Sequence, residues 1–162
     1  MIVISDTSPI GSLILIGKLQ ILHSVFESIV IPQKVYEEIL VLETRFGHDL
    51  SEFRSAQWIE VKEIGNPDEV QRLRQLLDHG ESEAIVLAKE LNADFLLIDE
   101  SEGRKIAQKE GLKIIGLIGV LIQAKNQKII NSVKSIMDEL RDIAGFRISD
   151  SLYRTVLNQI GE

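Results

Sequence analysis

Hydrophobic and polar positions follow two alternating patterns along the chain: short aliphatic runs and longer segments with a helical period. Five short runs rich in Ile, Val, Leu and Phe have the length and composition of strands. They lie at Ile2–Ser5, Ser28–Ile31, Trp58–Ile64, Phe95–Ile98 and Lys113–Ile115. Helical patterns lie between and after them, at residues 9–17, 19–26, 33–46, 67–79, 82–92, 102–110, 117–127, 132–144 and 149–159. Strands that alternate with helices are typical of βαβ units, so the pattern predicts an α/β protein with a parallel sheet between helices.

Composition narrows the class of protein further. The 162 residues suit one compact domain, and the absence of cysteine excludes disulfides and thiolate zinc sites. The sequence has no signal-peptide pattern and no apolar run long enough to span a membrane, so a cytoplasmic protein with no membrane partner is expected. The net charge of −7 has the wrong sign for holding nucleic acid by bulk charge neutralisation. A polyanion would therefore need a local basic patch or a metal ion.

Two of the predicted strands end on an aspartate, Asp6 after IVIS and Asp99 after FLLI. Ligands of open parallel sheets bind beyond the carboxyl ends of the strands, so a site is expected there. If the two strands are neighbours, the carboxylates would repel each other unless a divalent cation or shared protons neutralised them. Carboxylate oxygens favour Mg²⁺ or Mn²⁺. A second interpretation stays open, in which Asp6 or Ser8 only caps a helix that starts near Pro9.

Glutamates on helices are further candidates. In the helix after the second strand, steps of 100° place Glu38 at the edge of the apolar stripe and Glu37 nearly opposite, so Glu38 can reach inward. Glu81 and Glu83 both occupy the first turn of the helix that follows Gly80. They lie about 200° apart and cannot share one direction. Because acids in a first turn also offset the helix dipole, either could be a terminal charge only, and the spacing does not choose between them.

Several stretches, taken in order, carry a family resemblance: IVISDTSPI, IPQKVYEEI, GESEAIVLA, FLLIDESEGRKIA and KIIGLIGVLIQAK. Together they resemble the PIN domain, in particular prokaryotic PIN-domain proteins related to VapC-type toxins. The resemblance covers about residues 1–130, and ELRDIAGFRIS in the tail is similar to the same branch. It implies a three-layer α/β/α fold with a central parallel sheet. One domain over residues 1–162 is expected, with a core at about 1–130 and a helical tail at about 131–162.

PIN domains are known as metal-dependent ribonucleases in which clustered acids hold Mg²⁺ or Mn²⁺. The resemblance therefore implies hydrolysis of RNA phosphodiester bonds. It further implies the toxin of a toxin–antitoxin pair, with a cognate antitoxin protein and a second copy of the chain as partners. The chain departs from the toxin pattern in two ways, because the third acid is Glu where the toxins usually have Asp, and because the residues after Asp99 differ.

Carried over to this chain, the resemblance and the spacing name a set of site residues. The candidate catalytic residues are Asp6, Glu38, Glu81, Glu83 and Asp99. Of these, Asp6, Glu38, Glu83 and Asp99 are assigned as metal ligands, and their carboxylates are expected to lie close enough to share an ion. Ser8 matches the hydroxyl that follows the first acid by two positions. Arg104 is a candidate contact for the RNA backbone, with a solvated helix face as the alternative.

Two rival functions belong to other classes. An aspartyl-phosphate phosphotransferase would have a second Asp two residues after Asp6, where this chain has Ser8. A PIN-fold module that binds RNA or protein without cleaving it is the more serious rival, since the acidic composition and the altered third acid favour it. Metal binding would separate a nuclease from such a module.

Overall fold

A parallel sheet of five strands runs through the middle of the molecule. The computed structural model describes residues 1–162. The strands are β1 (Val3–Ser5), β2 (Ile29–Pro32), β3 (Ile59–Lys62), β4 (Phe95–Leu97) and β5 (Ile114–Ile115). The helices are α1 (Thr7–Leu15), α2 (Gln20–Phe26), α3 (Gln33–Thr44), α4 (Ser51–Ser55), α5 (Pro67–Leu73), α6 (His79–Glu90), α7 (Ser101–Lys109), α8 (Leu117–Asn126), α9 (Val133–Asp142) and α10 (Asp150–Ile160). None of these ten helices is both long and apolar enough to cross a membrane.

The order of the strands puts the two acid-tipped strands side by side. The sheet runs β3-β2-β1-β4-β5, and every pair is parallel. In the β1–β4 pair, Ser5 lies opposite Leu97, and the backbone N–H of Asp6 donates to the carbonyl of Leu97 at 2.9 Å. Because parallel strands end at the same edge, Asp6 and Asp99 follow neighbouring strand ends, as the sequence required for a shared site.

Helices cover both faces of the sheet, which confirms the predicted α/β/α arrangement. Successive residues of β1 serve the two sides, with Val3 in the larger core and Ile4 in the smaller one. The larger core contains buried residues of α1, α2, α3, α8, α9 and α10, and the smaller core those of α5, α6 and α7. The helices of the C-terminal tail therefore pack against the same core as the first helices of the chain.

Local corrections concern where elements begin and end. All five strands are confirmed, but β1 begins at Val3, the first residue that is paired with β4, where it lies opposite Phe95. Residues 67–79 do not form one helix: α5 ends at Leu73, and α6 begins at His79, three residues before the predicted start at 82. The short helix α4 is not among the predicted helices, since five residues carry too little periodicity to detect.

Candidate functional site

An acidic cleft opens at the carboxyl end of β1, beside the first turns of α1 and α6. It has a volume of about 510 Å³ and five acids in its wall. The residues that line it are Asp6, Thr7, Ser8, Glu38, Val41, Asp78, Glu81 and Glu100. No Lys, Arg or His is among these residues, so the negative charges of the cleft are not balanced by a cation in its wall.

Asp6 lies buried in this cleft, with 3% of its surface exposed. It occupies the N-cap position of α1, yet its side chain makes no capping hydrogen bond. Burial raises the pKa of Asp6 to about 7, against a smaller lowering by the backbone N–H of Thr7; the acids Asp78, Glu38 and Asp99 raise it further. The helix-cap interpretation therefore does not account for Asp6. Burial and the neighbouring acids both disfavour the charged form of its carboxyl group.

Glu38 reaches the cleft from the second turn of α3, as the helical phase predicted. Its Oε1 accepts a hydrogen bond of 2.7 Å from the Thr7 hydroxyl. Its carboxylate lies against the backbone of Gly80 so closely that a Cβ there would overlap it. Burial is the largest cause that raises the pKa of Glu38, while the Thr7 hydroxyl lowers it. Its neighbour Glu37 is exposed on the opposite side, in agreement with the sequence pattern.

Because α6 begins at His79, Glu81 lies in its first turn and Glu83 comes after it, so the expectation that both occupy the first turn is wrong; Glu81 is the one that enters the cleft. It is 6% exposed, and its Oε2 is buried without a hydrogen-bond partner. Burial, followed by the adjacent Asp78, raises the pKa of Glu81 to about 8. Its carboxylate also lies against α7, where a Cβ at position 103 would overlap Oε2, so Gly103 leaves room for it.

Glu83 points away from the cleft, toward the start of α3. Its Oε1 accepts a hydrogen bond of 3.0 Å from the backbone N–H of Lys34, and its Oε2 lies 3.3 Å from Nε2 of His79. The two carboxylate oxygens are thus already engaged by α3 and by the first residue of α6. These contacts do not support the assignment of Glu83 as a metal ligand, and Glu81 takes its place among the acids of the cleft.

Asp99 follows the end of β4 and is not among the residues that line the cleft. Its Oδ1 accepts a hydrogen bond of 3.0 Å from the backbone N–H of Leu117, and its Oδ2 is buried without a partner. A Cβ at Gly116 would lie 2.9 Å from Oδ1, so only glycine leaves the present space for this carboxylate. Burial is the main cause that raises the pKa of Asp99, and the nearby charge of Arg104 lowers it.

The two expected substrate contacts differ in position. Ser8 lines the cleft, where its hydroxyl can meet a ligand. Arg104 instead donates from Nη1 to the backbone carbonyl of Ile98 at 2.8 Å and stands close to Asp99. It is not part of the cleft wall, so its guanidinium supports the end of β4 in this structure.

Sequence reasoning did not assign two acids that line the cleft, Asp78 and Glu100. Oδ1 of Asp78 accepts a hydrogen bond of 2.8 Å from the backbone N–H of Glu81, which makes Asp78 the N-cap of α6. An Asp three positions before a Glu at a helix start is a capping-box pattern, and it could have located both the helix start and this acid. Glu100 follows Asp99 directly, and no local pattern indicates that it turns into the cleft.

The donor set of the cleft suits a hard divalent cation, but its side chains are spread apart. No group of three or more His, Cys, Asp or Glu side chains is arranged so that it could hold a metal ion as it stands. The expectation that four carboxylates already lie close enough to share an ion is therefore not met. Two buried carboxylate oxygens, one on Glu81 and one on Asp99, nevertheless lack any partner in the protein.

Comparison with known proteins assigns the family. A family model for the PIN domain matches residues 2–162. Among solved structures, a PilT N-terminus domain protein from the hyperthermophilic archaeon Sulfolobus solfataricus is similar over 74% of this chain and 90% of its own, with a TM-score of 0.56 and 22% sequence identity. That likeness supports the fold alone, and no curated protein matches the chain significantly. Because the match covers almost the whole chain, the chain belongs to the PIN-domain family.

Proposed function

We propose that the protein is a metal-dependent ribonuclease that hydrolyses RNA phosphodiester bonds. The observation that carries this proposal is the group of unbalanced acids at the carboxyl end of the sheet. Asp6 and Glu81 are almost fully buried there, with pKa values raised to about 7 and about 8. Like charges at this density are relieved by protons or by a bound cation. The PIN domain is generally a nuclease fold, which supports the same function.

Mg²⁺ or Mn²⁺ fits the site by the chemistry of its donors. Hard cations prefer carboxylate oxygens, and the residues that would hold one are Asp6, Glu38, Glu81 and Asp99. The buried oxygens of Glu81 and Asp99 without partners are available as ligands. Since no three acids could hold an ion as they stand, binding requires one or more carboxylates to turn toward it. When bound, the ion supplies an activated water and stabilises the leaving oxyanion.

The residues around these acids position the carboxylates and offer a contact for a phosphodiester. Thr7 holds the Glu38 carboxylate in position through its hydroxyl. Ser8 presents a hydroxyl in the cleft wall that can donate to a phosphate oxygen. Gly80 and Gly103 leave the space that Glu38 and Glu81 occupy.

The test is cleavage of a labelled single-stranded RNA by the purified protein in Mn²⁺, in Mg²⁺ and in EDTA. We expect cleavage with either metal, none in EDTA, and none by Asp6→Asn in any buffer. Circular dichroism of Asp6→Asn checks that the variant is folded. Cleavage that persists in EDTA, or in Asp6→Asn, would overturn the proposal.

A non-cleaving PIN-fold module that binds RNA or protein is the second candidate. The spread of the acids favours it, because no three of them could hold an ion in their present positions. Such a module need not bind Mn²⁺ tightly. A melting temperature that does not change with Mn²⁺, combined with RNA binding and no cleavage, would favour the module over the nuclease.

The resemblance to VapC-type toxins extends the proposal to the toxin of a toxin–antitoxin pair. A cognate antitoxin protein and a homodimer are the partners that this extension expects. Expression of the wild-type chain in bacteria should then arrest growth, whereas Asp6→Asn should not. Light scattering on the purified protein measures whether it is a dimer.

A further inference from the structure

The first residues after β4 carry a hydrogen-bond pattern that departs from a regular sheet. Along the β4–β5 pair, the backbone N–H of Leu96 donates to the carbonyl of Lys113 at 2.9 Å. Further along, the N–H of Ile98 donates to the carbonyl of Ile115 at 3.0 Å, so the pairing continues beyond the end of β4. In a regular parallel ladder, the next bond would run from the N–H of Leu117 to the carbonyl of Ile98.

That ladder bond is replaced by a bond to a side chain. The N–H of Leu117 donates to Oδ1 of Asp99 at 3.0 Å. The carbonyl of Ile98 therefore loses the donor that the ladder would provide, although Ile98 is completely buried. Since a buried backbone carbonyl without a donor destabilises a fold, Asp99 can take this N–H only if another donor reaches Ile98.

Arg104 on α7 is that donor. Its Nη1 donates to the carbonyl of Ile98 at 2.8 Å. The guanidinium and the carboxylate share the space beside Gly116, because a Cβ there would lie 2.9 Å from Nη1 of Arg104 and 2.9 Å from Oδ1 of Asp99. Arg104 therefore satisfies the carbonyl while the N–H of Leu117 remains with the carboxylate.

This exchange of donors fixes one oxygen of Asp99 and leaves the other free. Oδ1 is held by the N–H of Leu117, and Oδ2 is buried without a partner. Without the guanidinium, the Ile98 carbonyl and the carboxylate would compete for a single N–H. If the carbonyl took it, the carboxylate would lose the hydrogen bond that fixes its orientation. Arg104 does not line the cleft, so it can influence a ligand there only through Asp99.

Resting on the proposed ribonuclease function, we infer that Arg104 is a positioning residue for Asp99, one of the residues that would hold the metal ion. Its guanidinium takes the carbonyl of Ile98 and thereby leaves the N–H of Leu117 to the carboxylate. Arg104 makes no contact with the RNA and takes no part in the chemical step.

The experiment measures the Kd for Mn²⁺ by calorimetry and records the amide NMR spectrum of the metal-free protein. Arg104→Met should weaken Mn²⁺ binding about tenfold, the usual effect of losing a residue that orients a metal ligand. In the metal-free spectrum, the amide proton of Leu117 should move upfield, because a neutral carbonyl replaces a charged carboxylate as its acceptor. Arg104→Lys keeps a cation that can donate to the carbonyl, so it should recover most of both properties.

Lys105→Met is the matched control, because Lys105 is exposed on the same helix and contacts only the side chain of Glu102. It removes one positive charge next to Arg104 and should leave both measurements unchanged. Should Arg104→Met fail to fold, Arg104→Gln gives the same comparison, because its shorter side chain lacks the guanidinium.

Three results would overturn the inference while the ribonuclease function stands. A contact with RNA would raise KM in Arg104→Met and leave the affinity for Mn²⁺ unchanged. A guanidinium that only repels the cation would make this variant bind Mn²⁺ more tightly. A purely structural role would lower the melting temperature without changing the Mn²⁺ affinity or the Leu117 signal. A wild-type protein that binds no Mn²⁺ and cleaves no RNA would overturn the proposed function, and the inference with it.

Discussion

Two clusters of charged side chains include residues of helix α6, and they differ in whether the negative charges are paired with positive ones. In the cleft, the acids stand together without a cation, and burial raises the pKa of Asp6 to about 7 and of Glu81 to about 8. On the surface, Glu69, Arg72, Lys89 and Glu110 form what we call the charge network, in which acids and cations alternate.

The charge network joins α5, α6 and the end of α7. Arg72 contacts Glu110 at 2.6 Å, and Lys89 contacts Glu110 at 2.8 Å and Glu69 at 3.2 Å. Hydrogen bonds from Arg72 and Lys89 lower the pKa of Glu69 to about 2. An acid that is paired in this way keeps a constant charge through the neutral range. A high density of charge alone therefore does not mark a functional site, whereas unbalanced charge of one sign does.

The largest effect should come from Asp6→Asn, which removes one buried charge from the cleft. We expect RNA cleavage to fall to background, because a central ligand is lost. In EDTA the variant should melt at a higher temperature than the wild type, because repulsion among the acids is reduced. A drop in melting temperature in EDTA would contradict the account of Asp6 as an unbalanced charge. Cleavage assays and thermal melts measure the two effects.

Glu81→Gln and Glu83→Gln test whether the direction of a side chain on helix α6 decides its role. Glu81→Gln should lose most RNA cleavage while remaining folded, since Glu81 enters the cleft. Glu83→Gln should keep its turnover number and lose at most about 0.3–1 kcal/mol of stability, the usual effect of an acid near a helix N-terminus. Full activity in Glu81→Gln would show that the cleft acids are not the active site. Activity and melting temperature are compared for both variants.

The pH dependence of stability should separate the two clusters in metal-free buffer. The folded-state pKa values of Asp6 and Glu81 lie above their ordinary values of 3.8 and 4.5, so the folded protein holds these protons longer than the unfolded chain does. Stability should therefore fall as pH rises from about 4 to about 8. For Asp6 the change amounts to a few kcal/mol, at about 1.4 kcal/mol per pKa unit. Denaturant titrations in EDTA at several pH values measure it.

The charge network should contribute in the opposite sense and in another range. The pKa of Glu69 is lowered from 4.5 to about 2, so the stability that it contributes is complete above the ordinary pKa value and is lost only as pH falls through the folded-state value.

Saturating Mn²⁺ should flatten the loss of stability between pH 4 and 8 by binding the ionised cleft acids. Stability that stays constant or rises across that range in EDTA would contradict the raised pKa values.

Thr7→Val should have a smaller effect than loss of an acid, because it removes only the hydroxyl that holds Glu38. We expect about a tenfold loss of catalytic efficiency at limiting Mn²⁺, as is usual when a residue that orients a metal ligand is removed. Thr7→Ser keeps the hydroxyl and should restore most of it. Equal activity in both variants would mean that the hydrogen bond to Glu38 does not matter. The measurement is the Mn²⁺ dependence of kcat/KM.

The smallest effect should follow from Glu110→Gln in the charge network. It weakens contacts with Arg72 and Lys89 at the surface, so the melting temperature should fall by a few degrees at most. The difference from the wild type should shrink as salt is added, because salt screens exposed pairs. RNA cleavage should be unchanged. A loss of cleavage would contradict the claim that the charge network takes no part in the site.

The elements that the sequence predicted correctly are those whose signal is local. Five aliphatic runs became the five strands. The three central strands β1, β2 and β4 are largely buried between the helix layers and need apolar residues on both faces, whereas the edge strand β3 alternates Ile and Val with exposed or half-exposed Glu and Lys. The phase of α3 also placed Glu38 on the inner side, because the angle between residues of one helix does not depend on the rest of the fold. The end of α5 at Leu73 was missed, because the cap that starts α6 was not recognised in the pattern.

By itself, the sequence determined which acids follow the ends of strands and which ones lie on helices, because those positions depend on residues a few places apart. Only the tertiary structure decided that Glu81 enters the cleft and Glu83 does not, since Glu83 is held by a backbone group 49 residues away. The hydrogen bond from Thr7 to Glu38 likewise spans 31 residues. Burial, which is the largest cause of the raised pKa values, also belongs to the assembled layers. Contacts and solvation of this kind arise only when distant segments pack together, and no local pattern contains them.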